Sequence, residues 1–591
     1  MGQAQQEGLS RLTTNGEIAA RLLEMATLLE LKGLEGFKLR AYHRAAQSIE
    51  NHPIPLVDLH QQGKLRDVRG VGDSLARKIE AIIQTGTCPQ LEELRSEVPA
   101  TLIDLMRVPG LGPKTVAQVW RELGVSTLEQ LQEAAGDGRL ASLRGLGPKR
   151  AQAVLAGIAS LRTWAGRTPI AEAKPIADAI VRELGSYPEV SRVEAAGSLR
   201  RGRETVGDLD ILVATDQGPA VLERFAGLAD VQEVIALGET KASVRMRGIA
   251  QVDVRAVSAV EYPAALVYFT GSKEHNVRLR EIAKGRNLKL NEYGLFAEDG
   301  GAAVAAPDEA AIYAALDMAY VPPELREDQG EIEVAQSRNL PVLVAASDIR
   351  GDLHSHTTWS DGTDELATMA AQALAVGVRY LAVTDHSQAL AFAGGLTPAR
   401  LRKQAGEIAA WNAAHGDRLR LLRGCEVEIL ADGTLDLPDD VLAELEWVVA
   451  AVHSPNRRGG LSLTARLVAA ARHPLVDVIA HPTGQIIGER EAYDVDVADL
   501  IDAAAVSGVA LEINASPYRL DLPPHLARQA ARQGVKLVVS TDSHDARSLG
   551  DLWYGVTAAR RGWLTAADVL NTLDMQGLAD WRDERRRRHA T

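Results

Sequence analysis

Between residues 350 and 545 the chain repeats one arrangement, a short apolar run ending in His, Asp or Glu. Asp352-Leu353-His354-Ser355-His356 opens the series. Runs ending at Asp385-His386, Glu426, His453, His481 and Asp542-Ser543-His544 continue it. Each run reads as a short buried strand. Side chains alternate faces along a strand, so His354 and His356 share a side, as do Asp542 and His544. With Asp361, His386, Glu426, His453 and His481 they make nine nitrogen and oxygen donors and no thiolate. That is more than one tetrahedral zinc takes and suits two or three clustered ions. Clustered ions lower the pKa of a bridging water and clamp a phosphate, which is the chemistry of phosphoester hydrolysis. A lone histidine of this kind is usually a hydrogen-bonded core or surface residue; nine donors at strand ends are not explained that way.

A second set of carboxylates lies mid-chain. Ala196-Gly197-Ser198-Leu199-Arg200-Arg201-Gly202 leads into Gly207-Asp208-Leu209-Asp210-Ile211. Asp208 and Asp210 face one side of a strand, so both can hold a metal. Asp253 follows in the apolar run Gln251-Val252-Asp253-Val254-Arg255. Three carboxylates on adjacent strands are what two Mg2+ ions need to align a 3′-hydroxyl with an incoming phosphate. The Gly-Ser turn offers backbone donors to a triphosphate. Gly197 and Gly202 also fit half a dinucleotide fingerprint, but the periodic helix that should follow is replaced by the Asp pair.

A third pattern recurs near the N-terminus. Arg69-Gly70-Val71-Gly72, Pro109-Gly110-Leu111-Gly112 and Arg144-Gly145-Leu146-Gly147 each precede a helical stretch. Glycine supplies a φ > 0 turn, expected at Gly112 among others, and the apolar residue between plugs the core. Pro113 and Pro148 fall in the first helical turn, where a missing N–H costs nothing. The exposed N–H groups make an anion site that grips phosphates without reading sequence.

The elements needed to hold these groups set the architecture. Ligand-bearing strands separated by helix-length segments describe a repeated strand-helix barrel with its ligands at the C-terminal rim. The expected fold is multidomain, α and α/β. At 591 residues the chain exceeds one core. Hydrophobic content of 46% and charged content of 24% are ordinary for a globular protein. No apolar run is long enough to cross a membrane, and Met1-Gly2-Gln3-Ala4 lacks a leader pattern. Two cysteines, Cys88 and Cys425, give no disulfide framework and point to a reducing cytoplasm. The net charge of −14 excludes a uniformly basic nucleic-acid coat but leaves room for local grooves. The run Arg585–Arg588 reads as a solvated tail end.

The barrel motifs His354-Ser355-His356, Thr384-Asp385-His386, Gly424-Cys425-Glu426, His453-Ser454, His481-Pro482 and Asp542-Ser543-His544 resemble those of the PHP phosphoesterase domain. That resemblance implies a distorted seven-stranded barrel, with Val509–Asn514 as the remaining strand. It also implies a three-metal site that hydrolyses phosphoesters with manganese, zinc or iron. The glycine repeats resemble helix-hairpin-helix elements. The middle of the chain resembles the DNA polymerase X family, through Gly197–Gly202, Gly207–Asp210, Tyr268–Asn276 and Leu290–Phe296. By that resemblance Asp208, Asp210 and Asp253 are the metal carboxylates, and Gly197, Ser198 and Arg201 hold the triphosphate. Tyr268, Phe269, Gly271 and Asn276 lie against sugar and base. Arg280 touches the template side. Lys273 stands where relatives of polymerase beta carry Asp, and its charge can strengthen triphosphate binding. Gln251 stands where they carry Arg. Lys78 falls at the Schiff-base position of a lyase pocket, whose usual second lysine is replaced by Ser74.

The expected organisation is a helical DNA-end module with one hairpin at 1–88 and a fingers-like module with two at 89–167. A nucleotidyltransferase palm (168–260) and a thumb (261–320) follow, then a linker (321–350) and the PHP barrel (351–591). Gly70, Gly72, Gly110, Gly112, Gly145 and Gly147 are the expected DNA-phosphate contacts. The resemblance implies gap-filling repair synthesis on gapped or primed duplex DNA from deoxynucleoside triphosphates, coupled to 3′-5′ exonuclease or other 3′-end processing. Mg2+ or Mn2+ is expected in the palm and Mn2+ or Zn2+ in the barrel. The chain is expected to be a monomeric cytoplasmic enzyme. Two rivals stand beside this: a barrel acting on small-molecule phosphates, and a DNA-end-binding scaffold with vestigial sites, against which the complete Asp triad and ligand set count.

Overall fold

The computed structural model describes residues 15–590 apart from 35–36, 51–55, 69, 100, 107, 109–110, 165–166, 298–303 and 455–459. The chain forms two compact units, Met1–Ala165 and Gly166–Thr591.

The first unit is helical among its described residues, and one apolar core runs through it from Ile18 to Ile158. The residue between each glycine pair is buried as expected: Val71, Leu111 and Leu146 all belong to that core. Helices start directly after Gly72, Gly112 and Gly147, at Asp73, Pro113 and Pro148. The left-handed backbone, however, belongs to the first glycine of each described turn, Gly70 (φ +87) and Gly145 (φ +86). Gly112 has φ −76 and ψ 170, and a Cβ there would meet nothing within 4 Å. The φ > 0 expected at Gly112 is therefore corrected. The second glycine serves as an extended helix N-cap, a geometry any residue adopts. Gly110 lies outside the described residues.

The second unit begins with a small ladder of β1 (Thr168–Pro169) with β3 (Thr205–Val206) and a five-stranded sheet. The sheet holds β2 (Arg192–Ala195), β4 (Leu209–Ala214), β5 (Val231–Leu237), β6 (Lys241–Met246) and β7 (Ile249–Val257) in the order β2-β4-β7-β6-β5. β4 and β7 run parallel with Asp210 opposite Asp253. Helices Tyr262–Thr270 and Lys273–Gly285 follow, then the hairpin β8 (Leu288–Asn291) and β9 (Gly294–Ala297) and the helix Glu309–Ala315. A buried ionic knot ties them to the palm sheet. Glu309 accepts from Arg200 Nη2 at 2.8 Å and from Arg326 Nη1 at 2.8 Å. Burial alone would raise the Glu309 carboxyl, but the two guanidinium groups outweigh it and bring it down to about 2.

Residues 321–350 are folded rather than slack. Val321, Leu325, Ile332, Ala335 and Leu343 enter the thumb core, and Val344 and Ile349 enter the barrel core. The barrel itself has seven parallel strands in sequence order: β10 (Gly351–Asp352), β11 (Tyr380–Val383), β12 (Arg420–Glu428), β13 (Trp447–Ala451), β14 (Val478–Ile479), β15 (Ala510–Asn514) and β16 (Leu537–Ser540). Their near-continuous apolar runs fit strands covered on both faces. A bridge from Ser355 to Ser543 joins the first and last strands at the rim. Asn571 spans the same seam lower down, donating to Gly351 O at 2.9 Å and Val539 O at 2.6 Å.

The helix Met575–Ala590 closes the other end, packing Leu578 and Trp581 into the barrel interior. This corrects the reading of the run as a solvated tail at Arg585 and Arg586, while Arg587 is exposed as expected. Arg585 is buried and bonds Asp477 Oδ1 at 3.2 Å and Pro474 O at 2.8 Å, while Asp477 Oδ2 accepts from Val448 N at 2.9 Å. A charge run looks solvated until a barrel floor covers it. Removing one partner of a buried pair leaves the other charge without compensation. Asp477→Ala is therefore expected to destabilise the barrel by about 3–5 kcal/mol, read as a lowered denaturation midpoint. A loss within experimental error would show that the floor contributes nothing to stability.

Candidate active sites

The barrel strands deliver their ligands to one rim. His354 and His356 follow β10, His386 follows β11, Glu426 lies near the end of β12, His453 follows β13, His481 follows β14, and Asp542 and His544 follow β16. Asp361 arrives on the turn after His356. All nine expected side chains meet. Donor atoms within 4.8 Å of one another form three groups: His356-Asp361-His386-His544, His354-His356-Asp542 and His386-Glu426-His453. His481 joins them, its Nε2 3.0 Å from Glu426 Oε1. The groups overlap at His356 and His386, so the donors form one continuous cluster with room for more than one ion.

The donor set fits cations on a further ground. His354 Nε2, both ring nitrogens of His356 and Glu426 Oε2 are buried with no hydrogen-bond partner, an arrangement proteins avoid unless an ion or water completes it. The electrostatics agree. Burial, together with the charges of His544 and His386, lowers His356 to about 3, so its imidazole stays neutral and free to ligate. Burial also works against charge on His386 and His453, yet Glu426 and its companion carboxylates prevail and raise them to about 10 and about 9. Protons on these rings supply the positive charge the carboxylates demand, and a metal binding there releases them. His481 (φ +28) and Asp542 (φ +53) hold left-handed backbone without being glycine, a cost typical of functional sites.

A supporting layer was not read from the sequence as such. Glu512 Oε1 bonds His354 Nδ1 at 2.7 Å, and Glu428 Oε2 bonds His453 Nδ1 at 2.8 Å. Asp385, beside a ligand in its motif, instead gathers Thr357 N (2.8 Å), Ser360 Oγ (2.6 Å) and Gln404 Nε2 (2.5 Å), fixing the turn that carries Asp361. Arg519 stands at the edge, its Nε 3.9 Å from Asp542 Oδ2.

In the palm, Asp208, Asp210 and Asp253 bring carboxylate oxygens within 4.8 Å of one another. Gly197 (φ +60) is required beside them, since a Cβ there would lie 2.5 Å from Asp210 Oδ2. Burial, with Asp208 and Asp253 adjacent, pushes Asp210 up to about 7. Like charges this close ionise together only with added cations. Burial would raise Asp253 too, but hydrogen bonds from Lys241, Gln251 and Ser243 hold it below the usual range. Lys241 Nζ lies 2.6 Å from Asp253 Oδ2, and Gln251 Nε2 donates to Oδ1 at 2.9 Å. The cation is thus supplied by β6, a pairing that sequence spacing alone does not reveal.

The expected nucleotide contacts are linked. Arg201 donates to Thr270 O at 2.6 Å and Glu327 Oε1 at 3.0 Å, and a Cβ on Gly271 would lie 3.1 Å from Arg201 Nη1. Asn276 Nδ2 donates to Tyr268 O at 2.7 Å, Tyr268 meets Phe269 edge to face at 5.1 Å, and Ser198 is half-buried at the turn. Lys273, Asn276 and Arg280 share one face of the helix Lys273–Gly285. In the first unit Lys78 Nζ donates to Ser74 Oγ at 2.8 Å and lies 5.9 Å from the centre of the Tyr42 ring.

Comparison with known proteins agrees with this division. The chain matches the helix-hairpin-helix domain over 13–88 and the SAM-like helix-hairpin-helix tandem over 63–123 and 102–160. It matches the DNA polymerase beta palm over 167–237, the DNA polymerase beta thumb over 265–327 and the PHP domain over 352–516. It is 40% identical over 559 residues to DNA polymerase/3'-5' exonuclease PolX of Bacillus subtilis (strain 168), covering 94% of this chain and 97% of that protein. The chain belongs to the PolX family. It is a family X DNA polymerase that also carries a PHP phosphoesterase domain, and both chemistries depend on metals. More distant similarity divides along the chain. DNA polymerase lambda of Rattus norvegicus is 25% identical over 334 residues (51% of this chain, 55% of that protein). A probable phosphatase of Thermoanaerobacter sp. (strain X514) is 27% identical over 248 residues (40% of this chain, 96% of that protein). Among the described residues no helix is long and apolar enough to cross a membrane.

Groups that orient a ligating histidine typically contribute 10–100-fold to metal affinity. Glu512→Gln keeps the shape but weakens the bond to His354. Metal titration followed by calorimetry is expected to show roughly 10–100-fold weaker binding in the barrel, with unchanged primer extension. Unaltered affinity would remove Glu512 from the supporting layer.

Proposed function

We propose that this enzyme fills short DNA gaps with the palm and trims 3′ ends with the barrel, each through its own ions. The observation that carries the reading is the pair of preassembled donor clusters in one chain, one all carboxylate and one rich in histidine. Carboxylates suit Mg2+ in the palm, with Mn2+ as substitute. Imidazole and carboxylate together suit Mn2+ or Zn2+ in the barrel. These ions supply charge stabilisation and an activated water when bound.

The remaining roles fall to the chain. Asp208, Asp210 and Asp253 hold the palm's ions, with Lys241 fixing Asp253. Gly197, Ser198 and Arg201 receive the triphosphate, for which Arg201 must exchange Glu327. Tyr268, Phe269, Gly271 and Asn276 pack against sugar and base, Lys273 adds charge, and Arg280 lies toward the template. In the barrel the nine donors place the ions, and Arg519 faces the position where a scissile phosphate would gain from a guanidinium. The glycine-rich hairpins grip DNA phosphates in the chain's role as a cytoplasmic monomer. Lys78 donates to Ser74, which stands where the resemblance expects a second lysine, so lyase chemistry is not part of this proposal.

Two separations test it on a primed, gapped duplex. Asp210→Ala is expected to abolish extension while 3′ trimming and DNA binding persist, because losing one carboxylate removes several kcal/mol of transition-state stabilisation. His354→Ala with His356→Ala is expected to abolish trimming while extension persists. Extension by the first variant within a few-fold of the parent, or trimming by the second, would sink the assignments. Parent protein that frees phosphate from small esters but leaves 3′ ends intact would transfer the barrel to the small-molecule reading that the phosphatase similarity favours.

The hairpin grip has its own test. Gly145→Val forces a branched residue into the left-handed turn, so DNA affinity is expected to fall. The parent's affinity should fall steeply with salt, with little sequence preference. A flat salt dependence would refute phosphate contact as the main source of binding.

A further inference from the structure

The helix Leu552–Arg561 belongs to the barrel by its packing. A Cβ on Gly555 would lie 2.6 Å from Ala515 Cβ and 2.7 Å from Val539 Cγ1, so the helix sits hard against β15 and β16. β16 runs on into Asp542 and His544. Other side chains of the same helix meet the palm. A Cβ on Gly202 would lie 2.1 Å from Thr557 Cγ2 and 3.4 Å from Arg561 Cδ. Gly202 has φ +68, so the turn both needs the left-handed backbone and leaves no room for a side chain. Arg561 Nη1 donates to Gly202 O at 3.3 Å and to Glu204 Oε1 at 2.6 Å. The Arg561 side chain is only 8% exposed, where a charge pair is screened less than at the surface.

The turn so gripped is the one that presents Ser198 and Arg201. It closes on itself through Gly202 N to Leu199 O at 2.9 Å and Arg203 N to Ser198 O at 3.0 Å. Its helix, Gly197–Arg200, is a single turn, too short to hold its own shape. Glu204 O accepts from Ile170 N at 2.9 Å, which anchors the far end of the turn in the palm. Rigid support from Thr557 and Arg561 therefore reaches Ser198 through the turn's own hydrogen bonds.

We infer that the barrel helix Leu552–Arg561 is a positioning element for nucleotide binding in the palm, with Thr557 and Arg561 holding the triphosphate turn in its binding conformation. This rests on the reading that Ser198 and Arg201 receive the triphosphate. The contact acts on the ground state of the turn, so it affects nucleotide affinity more than the chemical step.

The test measures KM and kcat for deoxynucleoside triphosphate with the full-length protein on a primed gapped duplex, with 3′ trimming as the check of the barrel. Arg561→Ala and Glu204→Gln cut the same bond from opposite sides. Each is expected to raise KM about tenfold, as for a charged hydrogen bond, with kcat within about threefold and trimming retained. Arg561→Lys should fall between, since an ammonium keeps the charge but loses the fork. Ser198→Ala serves as the control of the underlying reading and should also raise KM. If Ser198→Ala raises KM while both seam variants leave it within about twofold, the barrel does not position the turn. If Ser198→Ala leaves KM unchanged, the triphosphate reading itself fails and the inference falls with it.

Discussion

Uncompensated negative charge is the constraint the rest of this structure answers to. Carboxylates are gathered densely at the palm and the barrel rim, and where they are buried their charge demands compensation. Each cluster has a provisional cation. Lys241 sits on Asp253 in the palm, and protonated His386 and His453 sit around Glu426 in the barrel. The same arithmetic governs the joints. Arg200 and Arg326 neutralise Glu309 between palm and thumb, Arg585 neutralises Asp477 at the barrel floor, and Arg561 neutralises Glu204 at the seam. The difference lies in permanence. Arginine stays charged at any working pH and makes a fixed joint, whereas imidazolium gives up its proton to an arriving metal.

This division explains which parts of the chain could be read in advance. Ligand positions were legible because strand alternation and strand ends are local properties. So were the Asp pair and its Gly-Ser turn. The supporting carboxylates are not, since Glu512 and Glu428 lie at or near strand ends just as Glu426 does, and only the closed barrel turns them toward the backs of His354 and His453. The role of Lys241 is not legible in the sequence because its partner lies across the pairing of β6 with β7. The burial of Arg585 is not legible either, because solvation is a property of what covers a residue. The turn at Gly112 is ambiguous for a smaller reason: either glycine of a Gly-x-Gly pair can take φ > 0, and the chain's entry into the following helix decides which.

The two active centres are also less independent than their separate ligands imply. The stretch 321–350 contributes to the thumb core and to the barrel core, so it cannot behave as a swinging tether. Arg560 adds to this by bonding Glu324 Oε1 at 2.6 Å and Val344 O at 3.0 Å. Palm, thumb and barrel fall in one compact unit, so the two centres belong to one body rather than to domains joined by a loose tether.

Arg201 shows how such rigidity serves binding. Its guanidinium is already held by Thr270 O and Glu327, with Gly271 left bare so that the backbone can approach it. On the proposal that Arg201 receives the triphosphate, the ligand would meet an arginine whose side-chain entropy has been lost in folding, and the exchange would be one carboxylate for a more highly charged phosphate. Glu327 also lies 3.8 Å from Arg203, so if Arg201 turned to a nucleotide the carboxylate would keep a partner on the same turn. That turn can then release its arginine without exposing an unpaired charge, provided the barrel helix behind Gly202 keeps the backbone in place.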